Sequence, residues 1–297
     1  MDQFQFSSAR ARTTNSIGRR GGALGRILGT SWVSVVLVCF TAGSPAFSQS
    51  AIFDIRDVSK KEAQKFKDEF GRRKAIVEQY FSATRFVPLF SGELNVKAFA
   101  YVPPASEALL PAWEGNRGHM KFAASRLKDG KAAILHELAH VHAPNQVRFL
   151  SEGYSTYLEE MIGNIGAYPT LGRLMAEQMK VLHKLYPRAL EAVKLEAFDR
   201  VSTQRGFLLQ NNVGLEMAIP DGDDKGRNRG DYSYLVSGSF VKYLIHAYGL
   251  EKFRALYELS PLTPGVATPA DPGRYYKAYG KSLPDFEKEW RNWLATQ

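Results

Sequence analysis

The chain has 297 residues, of which 44% are hydrophobic and 23% charged, an ordinary globular balance that can bury a sizeable core and excludes a disordered chain. Its formal charge of +9 is weighted to the start: residues 1–48 hold five arginines (Arg10, Arg12, Arg19, Arg20, Arg26) against Asp2. The remaining 34 basic and 29 acidic residues form no basic, aromatic-interleaved stripe, which argues against nucleic acid as a partner.

Residues 1–48 read as a signal peptide. An Arg-rich segment runs to Arg26, an apolar run follows from Ile27 to Ala42, and Ala46 and Ser48 are the small residues expected before a cut at Gln49. The location expected is therefore secreted or periplasmic. The apolar run is short for a membrane span, so no stable insertion is expected after cleavage; an uncleaved anchor is the second reading. Gly21-Gly22 after Arg19-Arg20 weakens a twin-arginine reading, and Val38 before Cys39 argues against lipidation. Cys39 is the single cysteine, so residues 49–297 can form no disulfide and offer no thiolate ligand.

Residues 49–57 look extended. Ser59 to Thr84 has the pattern of a charged helix with Phe66, Phe70, Ile76, Val77 and Tyr80 inward. Leu94 to Val102 alternates like a strand and stops at Pro103-Pro104; Ser106 to Trp113 reads as a short helix, and Gly118 to Leu127 as a second strand. His119 near its start is expected at the surface. Asp129-Gly130 then supplies a helix start signal, and Pro144 a stop, around His136-Glu137-Leu138-Ala139-His140. A second helical run covers Phe149 to Ile162.

Beyond Gly163 the chain reads as helical: Leu171 to Leu185 with His183 exposed, Arg188 to Phe198, and Asp231 to Tyr248 with His246 structural. Pro220 to Gly230 reads as a loop. Its aspartates, Asp221, Asp223 and Asp224, lack the spacing and closing glutamate of a calcium loop. In the tail, Trp290, Trp293 and Leu294 are expected to dock the last helix. With no internal repeat or linker, residues 49–297 form one expected domain, its N-terminal α/β part about 49–163 and its helical part about 164–297.

The chemistry concentrates between Ala132 and Glu160. Side chains four apart share a helix face, so His136 and His140 can aim at one metal ion, while Glu137 sits beside it, placed to take a proton from water. A catalytic zinc needs a third protein ligand and an open position. Glu152 is the best candidate, near the head of the next helix, with Gly153 leaving room for close helix approach. Glu159 and Glu160 compete for that place but read better as a solvated acidic end. His142, two residues past His140, points to another face and suits a capping or supporting role. Tyr232 and Tyr234 are both candidates to donate to an oxyanion, Tyr234 being nearer the apolar face; core packing is the competing role for each.

HExxH followed by Ser151-Glu152-Gly153 at the head of a helix resembles the gluzincin metallopeptidases, and most of all the small bacterial peptidase-MA-like proteins. The likeness spans about Leu94 to Leu294, but its specific part is the two helices. It implies an α+β, zincin-like fold, with a small sheet preceding the HExxH helix and a mainly helical C-terminal half. It also implies zinc held by His136, His140 and Glu152, with Glu137 as general base in peptide-bond hydrolysis. By the same likeness the strand Met120 to Ser125 would bind an extended peptide, and Asp231 to Tyr248 would pack beneath the zinc. The connection from His140 to Glu152 is shorter than in large aminopeptidases, and no G-x-M-E-N string precedes the motif. The alternative function is a catalytically inactive zinc-binding module of the cell envelope, though a carboxylate at Glu137 serves no purpose in passive zinc retention.

Overall fold

Ser59 starts the first long helix by a reciprocal pair of bonds: its hydroxyl accepts from the Glu62 amide at 3.2 Å, and the Glu62 carboxylate accepts from the Ser59 amide at 2.7 Å. The computed structural model describes residues 51–86, 92–100, 106–109, 117–185, 187, 191, 193–201, 229–262 and 271–297. The expected signal peptide and Asp221, Asp223 and Asp224 lie outside them. The fold is α+β and mostly helical. In chain order it runs β1 (Ala51–Ile55), α1 (Lys60–Thr84), β2 (Glu93–Phe99), β3 (Ser106–Leu109), β4 (Arg117–Ala123), α2 (Ala124–Lys128), α3 (Ile134–His142) and α4 (Arg148–Ile162). There follow α5 (Met175–Leu185), α6 (Leu195–Asp199), α7 (Arg229–Tyr248), α8 (Leu250–Glu258), α9 (Arg274–Tyr279) and α10 (Leu283–Thr296).

The sheet has the order β1-β2-β4-β3, with three parallel strands and β3 antiparallel at the edge. Leu94, Val96 and Ala98 alternate along β2 into the core, as the two-residue period of a strand requires. They belong to the same core as Phe66 and Phe70 of α1; Phe70 packs edge-on to Phe53 of β1, and Phe66 edge-on to Phe122 of β4, each with ring centroids 5.3 Å apart. Of the inner face expected for α1, Phe66, Phe70 and Val77 are buried and Ile76 and Tyr80 half-buried; Lys74 and Phe81 are buried as well.

Several expected elements differ. Ser106 to Leu109 is a strand, not a helix, because its four residues pair with Phe122 to His119 of β4 and a run so short has little helical preference to resist the sheet. That pairing places β4 inside the sheet. The expected peptide-binding strand, Met120 to Ser125, therefore has neighbours on both sides, and its last two residues are already in α2. His119 is half-buried there rather than at the surface.

Asp129-Gly130 ends α2 instead of starting α3. Gly130 takes φ +65°, which suits a residue without a side chain, and the amides of Gly130 and Lys131 turn back to Leu127 and Arg126. Positive φ at Leu171 and Gly172 likewise delays α5 to Met175. The run expected over Arg188 to Phe198 is broken at Lys194, which is extended. Arg229 and Gly230, read as loop, open α7. Among the described residues no helix is long and apolar enough to cross a membrane.

The helical half closes around α4 and α7. Phe149 stacks on Phe240 at 5.4 Å, and Trp290 lies edge-on to Phe240 while its indole N–H donates to Ser239 Oγ. Trp290 and Leu294 are buried and Trp293 packs against the core, which docks α10 as expected. Asp199 accepts from the Arg274 guanidinium and from the Tyr275 hydroxyl, joining α6 to α9 inside the protein.

Gly153 sets the α4–α7 distance: a Cβ there would lie 2.6 Å from Ser237 O and 2.8 Å from Val241 Cγ2. The close approach expected of this glycine is real, and its partner is α7. Gly153→Ala gains helix propensity but must push two backbones apart. It should lower stability by about 1–3 kcal/mol, read by urea or thermal unfolding.

Candidate metal centre

Ala133, the residue before α3, offers no side-chain cap, and the helix is held instead by what surrounds it. All nine of its residues are buried, including three histidines and Glu137. Pro144 ends it as expected. The turn that follows is fixed from α8: Asn145 Nδ2 donates to Tyr257 O, and the Tyr257 hydroxyl donates to Ala143 O, each at 2.7 Å. This short turn lays α4 alongside α3 and presents Glu152 to the histidine pair.

The three expected ligands converge. His136 Nε2 and His140 Nε2 are 3.1 Å apart, and Glu152 Oε2 lies 3.1 Å from the first and 3.2 Å from the second. A point about 2.0–2.1 Å from three donors, arranged as in a tetrahedral site, needs them about 3.3–3.4 Å apart. The observed triangle is within a few tenths of an ångström of that, so these three residues fit a metal ion. With Nε2 turned to the shared point, His140 Nδ1 carries the proton and faces Ser151 Oγ at 3.0 Å and Ser155 Oγ at 3.3 Å, which fixes the ring. Arg148, one turn before Glu152, donates to its other oxygen at 2.5 Å.

Burial shapes the protonation of the side chains gathered here. Burial pushes the Glu137 carboxyl up to about 8, with the negative charges of Glu152 and Glu159 adding to it against the pull of His136 and Arg148. Burial brings His140 down to about 4. For Glu152 burial acts upward but loses to the charges of Arg148 and His140 and to its imidazole bonds, which hold it well below the usual carboxylate range. Three carboxyl groups, those of Glu137, Glu152 and Glu159, thus lie within the protein, at most 4% exposed, and Arg148 pairs with that of Glu152. The Glu152 carboxylate, held ionised against burial, is the negative charge that favours a cation at the point the donors share.

The tyrosines, two residues apart on α7, part company. The Tyr234 ring lies 6.0 Å from the His136 ring and 5.4 Å from that of Tyr168. Tyr232 is buried on another side, its hydroxyl pushed up by burial and eased by Arg291 of α10, and it does not join the site. His142 points away from the triangle and stacks on Phe81 at 5.9 Å. His183 is exposed, and His246 is exposed with its ring 6.3 Å from Trp293.

Glu159 and Glu160 are not a solvated end. Glu159 is fully buried and accepts from the amides of His136 at 2.6 Å and Asn164 at 2.7 Å. Glu160 accepts from the Met175 amide and from Lys242 Nζ, each at 2.5 Å. Neither joins the three donors. Reading the sequence also missed Arg148, Ser151, Ser155 and Tyr168. Arg148 had a signal, its place four residues before Glu152 on one helix face; Tyr168 had none. No protein-family model, curated protein or solved structure matches the chain.

The raised Glu137 carboxyl has a consequence for stability. Its protonated form is favoured in the folded state, so its contribution is complete below the ordinary carboxylate range and is lost as pH rises toward about 8. With metal removed by chelation, the native protein should therefore lose stability relative to Glu137→Gln between pH 5 and pH 8. Urea unfolding of both proteins across that range checks it; parallel pH curves would contradict it.

Proposed function

We propose that this protein is a zinc metallopeptidase of gluzincin type, hydrolysing peptide bonds in a peptide or protein substrate outside the cytoplasm. The observation that carries the proposal is the triangle of His136, His140 and Glu152 donors with Glu137 next to a ligand on the same helix. Two imidazoles, one carboxylate and an open position suit zinc among the common metals. The order of sheet, HExxH helix and glutamate helix is compatible with a zincin-like fold, and the leader composition of residues 1–48 supports export.

The chemistry supplied by a zinc ion held there is Lewis acidity, which polarises a carbonyl and lowers the pKa of a coordinated water toward about 7. The protein's own groups do the rest. His136, His140 and Glu152 hold the cation, and the Ser151 and Ser155 hydroxyls keep the His140 ring in the tautomer that leaves Nε2 free. Glu137 accepts the proton of the attacking water as oxygen bonds to the carbonyl carbon, then gives it to the amine nitrogen as the C–N bond breaks. Burial suits it to this, because it makes the protonated carboxyl easier to reach. Tyr234 is the tyrosine we assign to donate to the oxyanion. The antiparallel edge strand β3 runs beside α3, and an extended peptide adding to its outer edge would take the role expected of β4.

Two variants separate the roles. Glu137→Gln should keep zinc, measured by metal analysis of the purified protein, and lose at least about 10²-fold in cleavage of a quenched peptide library. His140→Ala should lose the metal itself. Undiminished cleavage by the Gln variant would discard the mechanism, and a native protein without metal would discard the site.

A further inference from the structure

The first turn of a helix leaves amide N–H groups without partners inside the helix. In α3 these amides lie in the interior, Ala133 supplies no cap, and the Asp129-Gly130 signal is used to end α2. The missing acceptor comes from another helix. Glu159 Oε2 accepts from the His136 amide at 2.6 Å, while Oε1 accepts from the Asn164 amide at 2.7 Å. Asn164 in turn donates through Nδ2 to Gly130 O at 2.9 Å, and Arg73 of α1 donates to Gly163 O at 2.8 Å. One fully buried carboxylate thus joins the start of α3 to the turn after α4. Gly163 makes room for it: a Cβ there would lie 2.8 Å from the Glu159 carboxyl carbon.

We propose that Glu159 is a positioning residue for the metal centre, holding His136 in register with Glu152 by capping α3 from α4. Seven residues, about 10.5 Å of helix, separate Glu159 from Glu152, so the same helix grips α3 at two places. His136 is held at both: its ring meets Glu152 Oε2 at 3.1 Å and its amide meets Glu159. A shift of α3 along or about α4 would open a donor triangle whose sides are only 3.1–3.2 Å. Glu160 is the internal comparison. It is equally engaged, with the Met175 amide and Lys242, but it holds α5 and α7 and bonds to no residue of α3.

This inference rests on the metal-centre reading, and its test separates the two. Zinc Kd is measured on the purified full chain by competition with a chromophoric chelator, the visible band of the cobalt-substituted protein is recorded, and metal-free thermal unfolding confirms that each variant folds. Glu159→Gln matches the native residue in size but accepts from only one of its two amides. It should raise zinc Kd by about tenfold to a hundredfold and alter the cobalt band. Glu159→Asp keeps the charge but is one methylene too short to span both amides, and should weaken zinc comparably; if the Gln variant fails to fold, the Asp variant carries the test. Glu160→Gln should lower the unfolding temperature and leave zinc Kd unchanged. The proposal is overturned if Glu159→Gln binds zinc as the native chain does, if Glu159→Asp restores native affinity so that charge alone matters, or if Glu160→Gln weakens zinc equally. A native chain that takes up no zinc sinks the metal centre, and the positioning role with it.

Discussion

Carboxylates are expensive to bury, and the neighbouring helices α3 and α4 bury three of them, Glu137, Glu152 and Glu159. Each is accommodated differently. Glu152 lies between a guanidinium and two imidazoles, Glu159 between two backbone amides, and Glu137 by shifting toward its protonated form. The surrounding structure keeps these arrangements together. Glycine at position 153 lets α4 close onto α7, the α8 hydroxyl and carbonyl of Tyr257 fix the turn after α3, and an aromatic group of Phe81, Phe86, Tyr154 and Phe253 fills the space toward α1.

Adjacent residues in this fold serve different neighbours because a helix turns by about 100° per residue. Glu159 reaches α3 while Glu160 reaches α5 and α7. Tyr232 and Tyr234, about 200° apart around α7, cannot both face His136, and the packing of α7 gives that side to Tyr234. The sheet follows similar logic. Pairing with β3 takes up the free side of β4, so the strand left at the edge beside α3 is a four-residue segment with no strong signal of its own.

The helices α1, α3, α4 and α7 and the strands β2 and β4 were legible in the sequence because each rests on a local period or a local stop signal. His136, His140 and Glu152 were legible for the same reason: four-residue spacing and a short turn fix which side chains share a face. Glu159 was partly so, lying two turns from Glu152 on the same helix, yet nothing local distinguishes a glutamate that caps another helix from one in water.

Residue spacing therefore determined the histidine pair and the helices that bear the site, and made Glu152 the leading third donor. Tertiary structure alone decided how close the donors come, which tyrosine accompanies them, where β3 pairs, and which partners engage Glu159 and Glu160 in place of water. Those outcomes depend on contacts between segments distant in sequence, such as the Glu159 carboxylate with the His136 amide, and a pattern read along one segment carries no information about the partner that another segment will bring.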